Sequence, residues 1–388
     1  MFSSSFGQTF FISIFAGEIR EAFDLSHGTW GGIYTIGTLA SAALMLWAGG
    51  LADRIPPQRL GATIMVMLAV VCLCMALVPL AALLPLVIFG LRFCGQGMLS
   101  HIAIVSLGKW FARQRGRANS VISMGFLLGE ACLPFLVVLL IGSIGWRSVW
   151  GLAAMVAVGC AVLLPILLRT TRTPSHPAEA STGEGLFGRH WTRAGALKHW
   201  LFWVTSIGLF APPVFGTAYF FHQVHLVDVK GWDLQTYTAF MPAFTLASLA
   251  CMILAGGFVD RKGSAPLMRF CLLPFSLALV LLANIDSLWV VPVGLALYGA
   301  TQGMMITLSA ALWPEIYGTE HLGKIRALAS AMMVLGSAVG PGVTGALIDQ
   351  GIGFESQMIG MAVYMIAVSI AYGFVFAWVG RQQLATAP

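Results

Sequence analysis

The stretch GGLADR at Gly49–Arg54 has a second copy, GGFVDR at Gly256–Arg261. The copies stand a little over half a chain length apart. Each follows a long apolar run and ends in an acid–base pair. A Gly-Gly-apolar-x-Asp-Arg turn at matching points of two halves marks an internal repeat. Repeats of this size suit membrane proteins that work between two bundles of helices.

Composition supports a bilayer setting. The 388 residues are 58% hydrophobic and only 9% charged, with a mean hydropathy of +0.87. Soluble domains carry about 25% charge, and no soluble fold of this length could hide so much apolar surface. The apolar runs last about 20 residues without period-two alternation, so helices rather than a barrel are expected. Breaks in hydropathy predict twelve spans: 3–19, 28–50, 60–80, 84–108, 118–142, 147–168, 199–222, 235–257, 266–285, 288–312, 325–348 and 356–379. The fold class is therefore all-α, with twelve membrane-spanning helices in two pseudosymmetric bundles. Residues 1–168 form the first bundle and 199–388 the second. The polar stretch 169–198, rich in Pro, Ser, Thr and Gly, links them.

Basic residues orient the chain. With a cytoplasmic N-terminus, only Arg20, Arg147 and Lys230 fall on the outer side, and Arg92 stays inside the membrane. Every other Lys and Arg falls on the cytoplasmic side, so both termini are expected there. The net charge of +6 is then a topology signal and implies no nucleic-acid partner. All seven cysteines lie inside apolar runs, which predicts small packing residues rather than disulfides or metal ligands. No basic leader or cleavage site opens the chain, so no signal peptide is expected. Short loops without glycosylation sites point to a bacterial inner membrane.

Asp53 and Asp260 end their helices at the C-terminus, the wrong end for an anion in the macrodipole. Each needs stabilisation from another helix N-terminus or from a nearby arginine. The glycines would let that helix approach. Such a contact can form in one conformation and break in another, so Gly49, Asp53, Arg54, Gly256, Asp260 and Arg261 form a candidate latch.

The repeated turn resembles the signature of the major facilitator superfamily, which follows its second helix. LRFCGQG at Leu91–Gly97 resembles the family's helix-four motif, WFARQRGRA at Trp110–Ala118 its basic loop before helix five, and GSAVGPGVTG at Gly336–Gly345 its glycine-rich helix. The first turn departs from the pattern, continuing with Pro56, Pro57 and Gln58. The second keeps Gly263 and then runs into Ser264 and Ala265. LWPEIYGTEHLGKIRALA at Leu312–Ala329 resembles the monocarboxylate and oxalate–formate branch. The resemblance implies a secondary transporter with its cargo site between the bundles.

Charges inside a membrane helix mark function by default. Arg92 in span four either faces a cavity and binds an anionic cargo or tunes an acid, or snorkels and holds helix five. Gln96 lies one turn deeper on the same side. Glu130, in FLLGEACLP, is the acid deepest in a span and suits proton coupling. The alternatives for it are a permanent ion pair with Arg92 or a bond to backbone. Gln8 and Tyr34 are further polar positions in apolar spans, as are Tyr219 at the end of span seven and Tyr298 with Gln302 in span ten. Pro212–Pro213 predicts a break in span seven.

No nucleophile set, phosphate loop, metal set or ATP motif stands out, so the chain is not expected to be an enzyme or to hold a cofactor. The expected partners are a small-molecule cargo, protons and the bilayer, with the chain a monomer. The leading expectation is alternating-access transport of a small, monocarboxylate-like organic anion with proton coupling. A proton-driven antiporter exporting hydrophobic or cationic compounds stays open.

Overall fold

The computed structural model describes residues 1–110, 115–168, 185–186 and 190–386, with 107–110, 115–121 and 380–386 given as backbone only. Most of the linker 169–198 and the side chains of the basic loop Trp110–Ala118 lie outside the described residues.

Twelve helical segments follow the predicted order, and among the described residues eleven helices are long and apolar enough to cross a membrane. The first predicted span differs. Segment α1 (Phe2–Phe23) is built from short pieces, Phe2–Gly7, Thr9–Ile12, Ser13–Phe15 and Ala16–Phe23, with Gln8 extended between the first two at φ −88° and ψ 154°. Hydropathy averages over such a break and reads 3–19 as continuous. Then come α2 (His27–Ala48), α3 (Pro57–Leu77), α4 (Leu84–Leu91, widened to a π-helix over Arg92–Leu99 and continuing as Ser100–Trp110), α5 (Arg115–Ile144) and α6 (Trp146–Leu167).

Segment α7 runs from Trp200 to Ala211, widens to a π-helix over Pro212–Gly216 and ends as Thr217–Phe221. Two consecutive prolines remove two N–H donors there, and the backbone answers with a wider turn. The predicted break is thus a widening. After the short helix Gln223–Lys230 come α8 (Leu234–Ala239 and Met241–Lys262), α9 (Ala265–Met268 and Leu273–Asn284), α10 (Val290–Tyr317), α11 (Leu322–Asp349) and α12 (Phe354–Thr386).

By contact, the chain forms two compact units. One holds Met1–Glu179, Ala218–Ala239 and Pro341–Gln350; the other holds Ala180–Thr217, Phe240–Gly340 and Gly351–Pro388. Inside the first, α2 packs on α4 and α3 on α6. Inside the second, α8 packs on α10 and α9 on α12. The same two pairings recur six helices later, as the repeated turn implied.

Large apolar side chains on the outer faces stay uncovered, among them Trp47 at 83% and Phe374 at 76% exposure. Patches of that kind are costly in water and ordinary against lipid tails.

The start of α8 is held by Asp233, which accepts from the Thr236 hydroxyl (2.6 Å) and the Thr236 N–H (2.7 Å). These bonds, the hydroxyl first, hold its carboxyl below the usual range. The stabilisation is present above the unfolded carboxylate pKa of about 3.9 and fades as pH falls through the lower folded value. Asp233→Ala should speed amide exchange in the first turn of α8 about fivefold at pH 7, as expected for a lost cap worth about 1 kcal/mol. Exchange mass spectrometry of a peptide spanning 233–240 reads this directly, and an unchanged rate would count against the cap.

Candidate functional site

Arg92 opens the π-helical stretch of α4 and is only 1% exposed. Its Nη1 donates to the Gly7 carbonyl at 3.1 Å and to Thr9 Oγ1 at 3.4 Å. Its Cζ stands 5.1 Å from the centre of the Tyr34 ring, within cation–π range. Thr9 and Tyr34 share a hydroxyl–hydroxyl bond of 2.5 Å. The guanidinium thus joins α1, α2 and α4.

The unwound turn at Gln8 makes this possible. In a continuous helix the Gly7 carbonyl would accept a bond from within the helix. With Gln8 extended, that oxygen is free to face Arg92. Close approach also requires glycine on both sides: a Cβ on Gly95 would lie 2.6 Å from Gly7 Cα and 2.7 Å from Gly7 N. Aromatic rings pin the short pieces of α1 against α6, with Phe11 5.3 Å and Phe15 4.8 Å from Trp150.

Two features of the site bear on chemistry. The Arg92 Nε is buried with no hydrogen-bond partner, and the two acceptors Arg92 does have are neutral. Among the described residues no ion pair joins Arg92 to Glu130, so a permanent pair between them is not formed in this structure. Glu130 is buried at 9% exposure, and its neighbour Gly129 lies so close to Ser5 that a Cβ there would overlap the Ser5 hydroxyl. Cation and acid both border α1 yet remain separate. A planar guanidinium with unused donors is suited to a carboxylate, which it can grip through two parallel bonds.

A model of the Major Facilitator Superfamily matches residues 1–264 and 225–386. The chain belongs to the major facilitator superfamily. It is 29% identical over 309 residues to a 38 kDa protein in a 23S RNA operon of Thermoproteus tenax, covering 79% of this chain and 76% of that protein. It is 25% identical over 295 residues to Monocarboxylate transporter 11 of Mus musculus, covering 72% of this chain and 63% of the mouse protein. Among solved structures it resembles a bacterial homolog of the human lysosomal transporter Spinster, inward-facing and occupied, with a TM-score of 0.74, 16% identity and coverage of 97% and 94%. The nucleoside transporter NupG is similar, with a TM-score of 0.72, 16% identity and coverage of 97% and 96%. At that identity the two structures show the fold alone. The chain is therefore a multi-pass membrane transporter of this superfamily.

The other sequence candidates are placed as follows. Gln8 and Gln96 are half-buried and belong with Arg92 and Tyr34 to the first unit. Tyr219, also in that unit, is bonded to Tyr237 at 2.9 Å. Tyr298 and Gln302 lie in the second unit, where the Tyr298 ring stacks on Phe275 at 3.9 Å. In the family's first turn, Gly49 offers its carbonyl to His101 Nε2 at 3.1 Å, while Asp53 and Arg54 sit on the short helix Leu51–Arg54. In the second turn Asp260 and Arg261 lie on the last turn of α8. Nothing stands within 4 Å of a Cβ added to Gly256, so the close helix approach expected of that glycine is not made here. Instead, Ser264 just past the turn gives its N–H (3.1 Å) and hydroxyl (2.6 Å) to Glu315 near the end of α10.

Sequence reading missed the Gly7 carbonyl, Ser13 and Gln223. Gln223 Nε2 donates to Ser13 Oγ at 2.8 Å across 210 residues of chain. Ser13 is a buried polar residue in an apolar run, which is the signal that could have found it; Gln223 lies just past the end of span seven among other polar residues, where hydropathy gives no such signal.

Proposed function

We propose that the chain is a secondary active transporter that moves a small organic anion with protons by alternating access. Arg92 receives the cargo carboxylate and Glu130 carries the proton. The observation that carries the reading is a fully buried guanidinium that has neutral acceptors and an unused Nε but, among the described residues, no carboxylate partner. A cation in that setting lacks its natural counter-ion, and a bound carboxylate would supply it. Similarity to a protein named as a monocarboxylate transporter supports the cargo class.

Arg92 is sealed in this conformation, bracing the unwound turn of α1. Cargo reaches it when that turn shifts and the Gly7 carbonyl yields its place. Gln8, Gln96 and Tyr34 then line the site, with Tyr219 completing it from a later helix of the same unit. The moving bodies are the two six-helix bundles, 1–168 and 199–388, joined by 169–198, in a monomer with both termini in the cytoplasm of a bacterial cell. The two glycine-rich turns latch the cytoplasmic side.

A buried acid with no basic partner among the described residues also suits a second reading, a proton-driven antiporter exporting hydrophobic or cationic compounds. Uptake into proteoliposomes separates the two. Under an inward proton gradient, wild-type protein should accumulate short-chain carboxylates. Glu130→Gln should lose that accumulation at least tenfold yet keep cargo-for-cargo exchange. Gradient-driven extrusion of lipophilic cations with no carboxylate uptake would favour the antiporter.

A further inference from the structure

At the end of the first unit remote from the repeated turn, the last acid of α11 closes on the first turn of α2. Asp349 Oδ2 accepts from Ser26 Oγ at 2.6 Å and from the Gly28 N–H at 2.8 Å, and Oδ1 accepts from the His27 N–H at 3.0 Å. Ser26 Oγ also caps α2 by accepting the Thr29 N–H at 3.1 Å. Asp349 ends its own helix, where the C-terminal carbonyls repel an anion. The N-terminus of α2, 321 to 323 residues away in sequence, supplies the compensating donors. The physics that the sequence demanded of Asp53 and Asp260 is carried out here by a different aspartate, at the opposite end of α2.

The surrounding seam is built to part. A Cβ on Gly31 would lie 2.5 Å from the Pro341 carbonyl, and one on Gly345 would overlap the His27 carbonyl. At these glycines the helices meet backbone to backbone. His222 Nε2 stands 2.9 Å from the Pro341 carbonyl, and the His27 and His225 rings are 4.1 Å apart. Asp349, Ser26 and their bonds are exposed to solvent. When the contact opens, water replaces each partner, so no buried charge is left stranded.

We propose that Asp349 and the Ser26–Gly28 turn form a latch that holds the ends of α2 and α11 together in one transport state and releases in the other. The latch works as a charge on a helix N-terminus and is independent of which cargo is carried.

Spin labels at Glu21→Cys and Gln350→Cys, both exposed positions, report its state in a background with the seven native cysteines replaced. Measurements are made in nanodiscs without cargo. The parent protein should give one dominant short distance. Asp349→Asn and Asp349→Ala should each raise the ratio of long to short populations at least fivefold. Ser26→Ala, which removes one of the three donors to Asp349, should give a smaller rise, and Asp349→Glu should stay close to the parent. Should Asp349→Ala fail to fold, Asp349→Asn and Ser26→Ala carry the test. Distance distributions unchanged from the parent in those variants would overturn the latch. Because no cargo is present, this result is separate from the fate of the anion reading.

Discussion

Arg92→Ala should lower carboxylate uptake at least 100-fold, and Arg92→Lys should recover no more than a tenth of it. Each hydrogen bond between charged groups contributes about 1.5–3 kcal/mol, so losing a two-bond grip costs about 3–6 kcal/mol of cargo binding. A lysine restores charge without the planar fork and so restores attraction without geometry. The bracing role of the same residue separates by stability. Alanine leaves the Gly7 carbonyl without its donor, at about 1–3 kcal/mol, and should lower the thermal midpoint. Lysine reaches toward the same oxygen and should lower it less. Transport by Arg92→Lys at the wild-type rate would reduce Arg92 to a brace.

Gly95→Ala should damage both stability and uptake. The added Cβ would fall 2.6 Å from Gly7 Cα and 2.7 Å from Gly7 N. The obstacle is backbone, which cannot move aside by changing rotamer. Overpacking of this kind costs about 1–3 kcal/mol. The strain would also push the Gly7 carbonyl off Arg92, so stability and uptake should fall together. A thermal midpoint and an uptake rate equal to the wild type would show that α1 and α4 are not held by this approach.

Much of the architecture is legible in the chain because hydropathy is a local property. Span lengths, the order of helices and the repeat at Gly49 and Gly256 all follow from runs of residues read in sequence. The family motifs agree with them. Local reading fails where one residue departs from its neighbours or where partners are far apart. Gln8 is a single extended residue inside an apolar stretch, and averaging hides it, yet the whole geometry at Arg92 depends on it.

Arg92 itself was visible as a charge among apolar residues. Tyr34 was visible as well, but the Gly7 acceptor was not, because Gly7 acts through its carbonyl and carries no side-chain signal. Glu130 was visible for the same reason as Arg92, but helix spacing cannot say whether two charges on neighbouring helices meet, and here they form no ion pair. Asp349 stands one residue past span eleven and carries no signal in the sequence. Its meaning lies in donors more than 300 residues away, and only the folded chain brings them together.

The claim at the centre is that a buried guanidinium takes the cargo's carboxylate, and equilibrium binding tests it most directly. Calorimetric titration of purified protein with a short-chain carboxylate, and with the amide of the same acid, compares ligands that differ only in the charged group. The account predicts saturable binding of the carboxylate, at least tenfold weaker binding of the amide, and loss of that preference in Arg92→Lys. Equal affinity for acid and amide, or a preference that survives in Arg92→Lys, would contradict it.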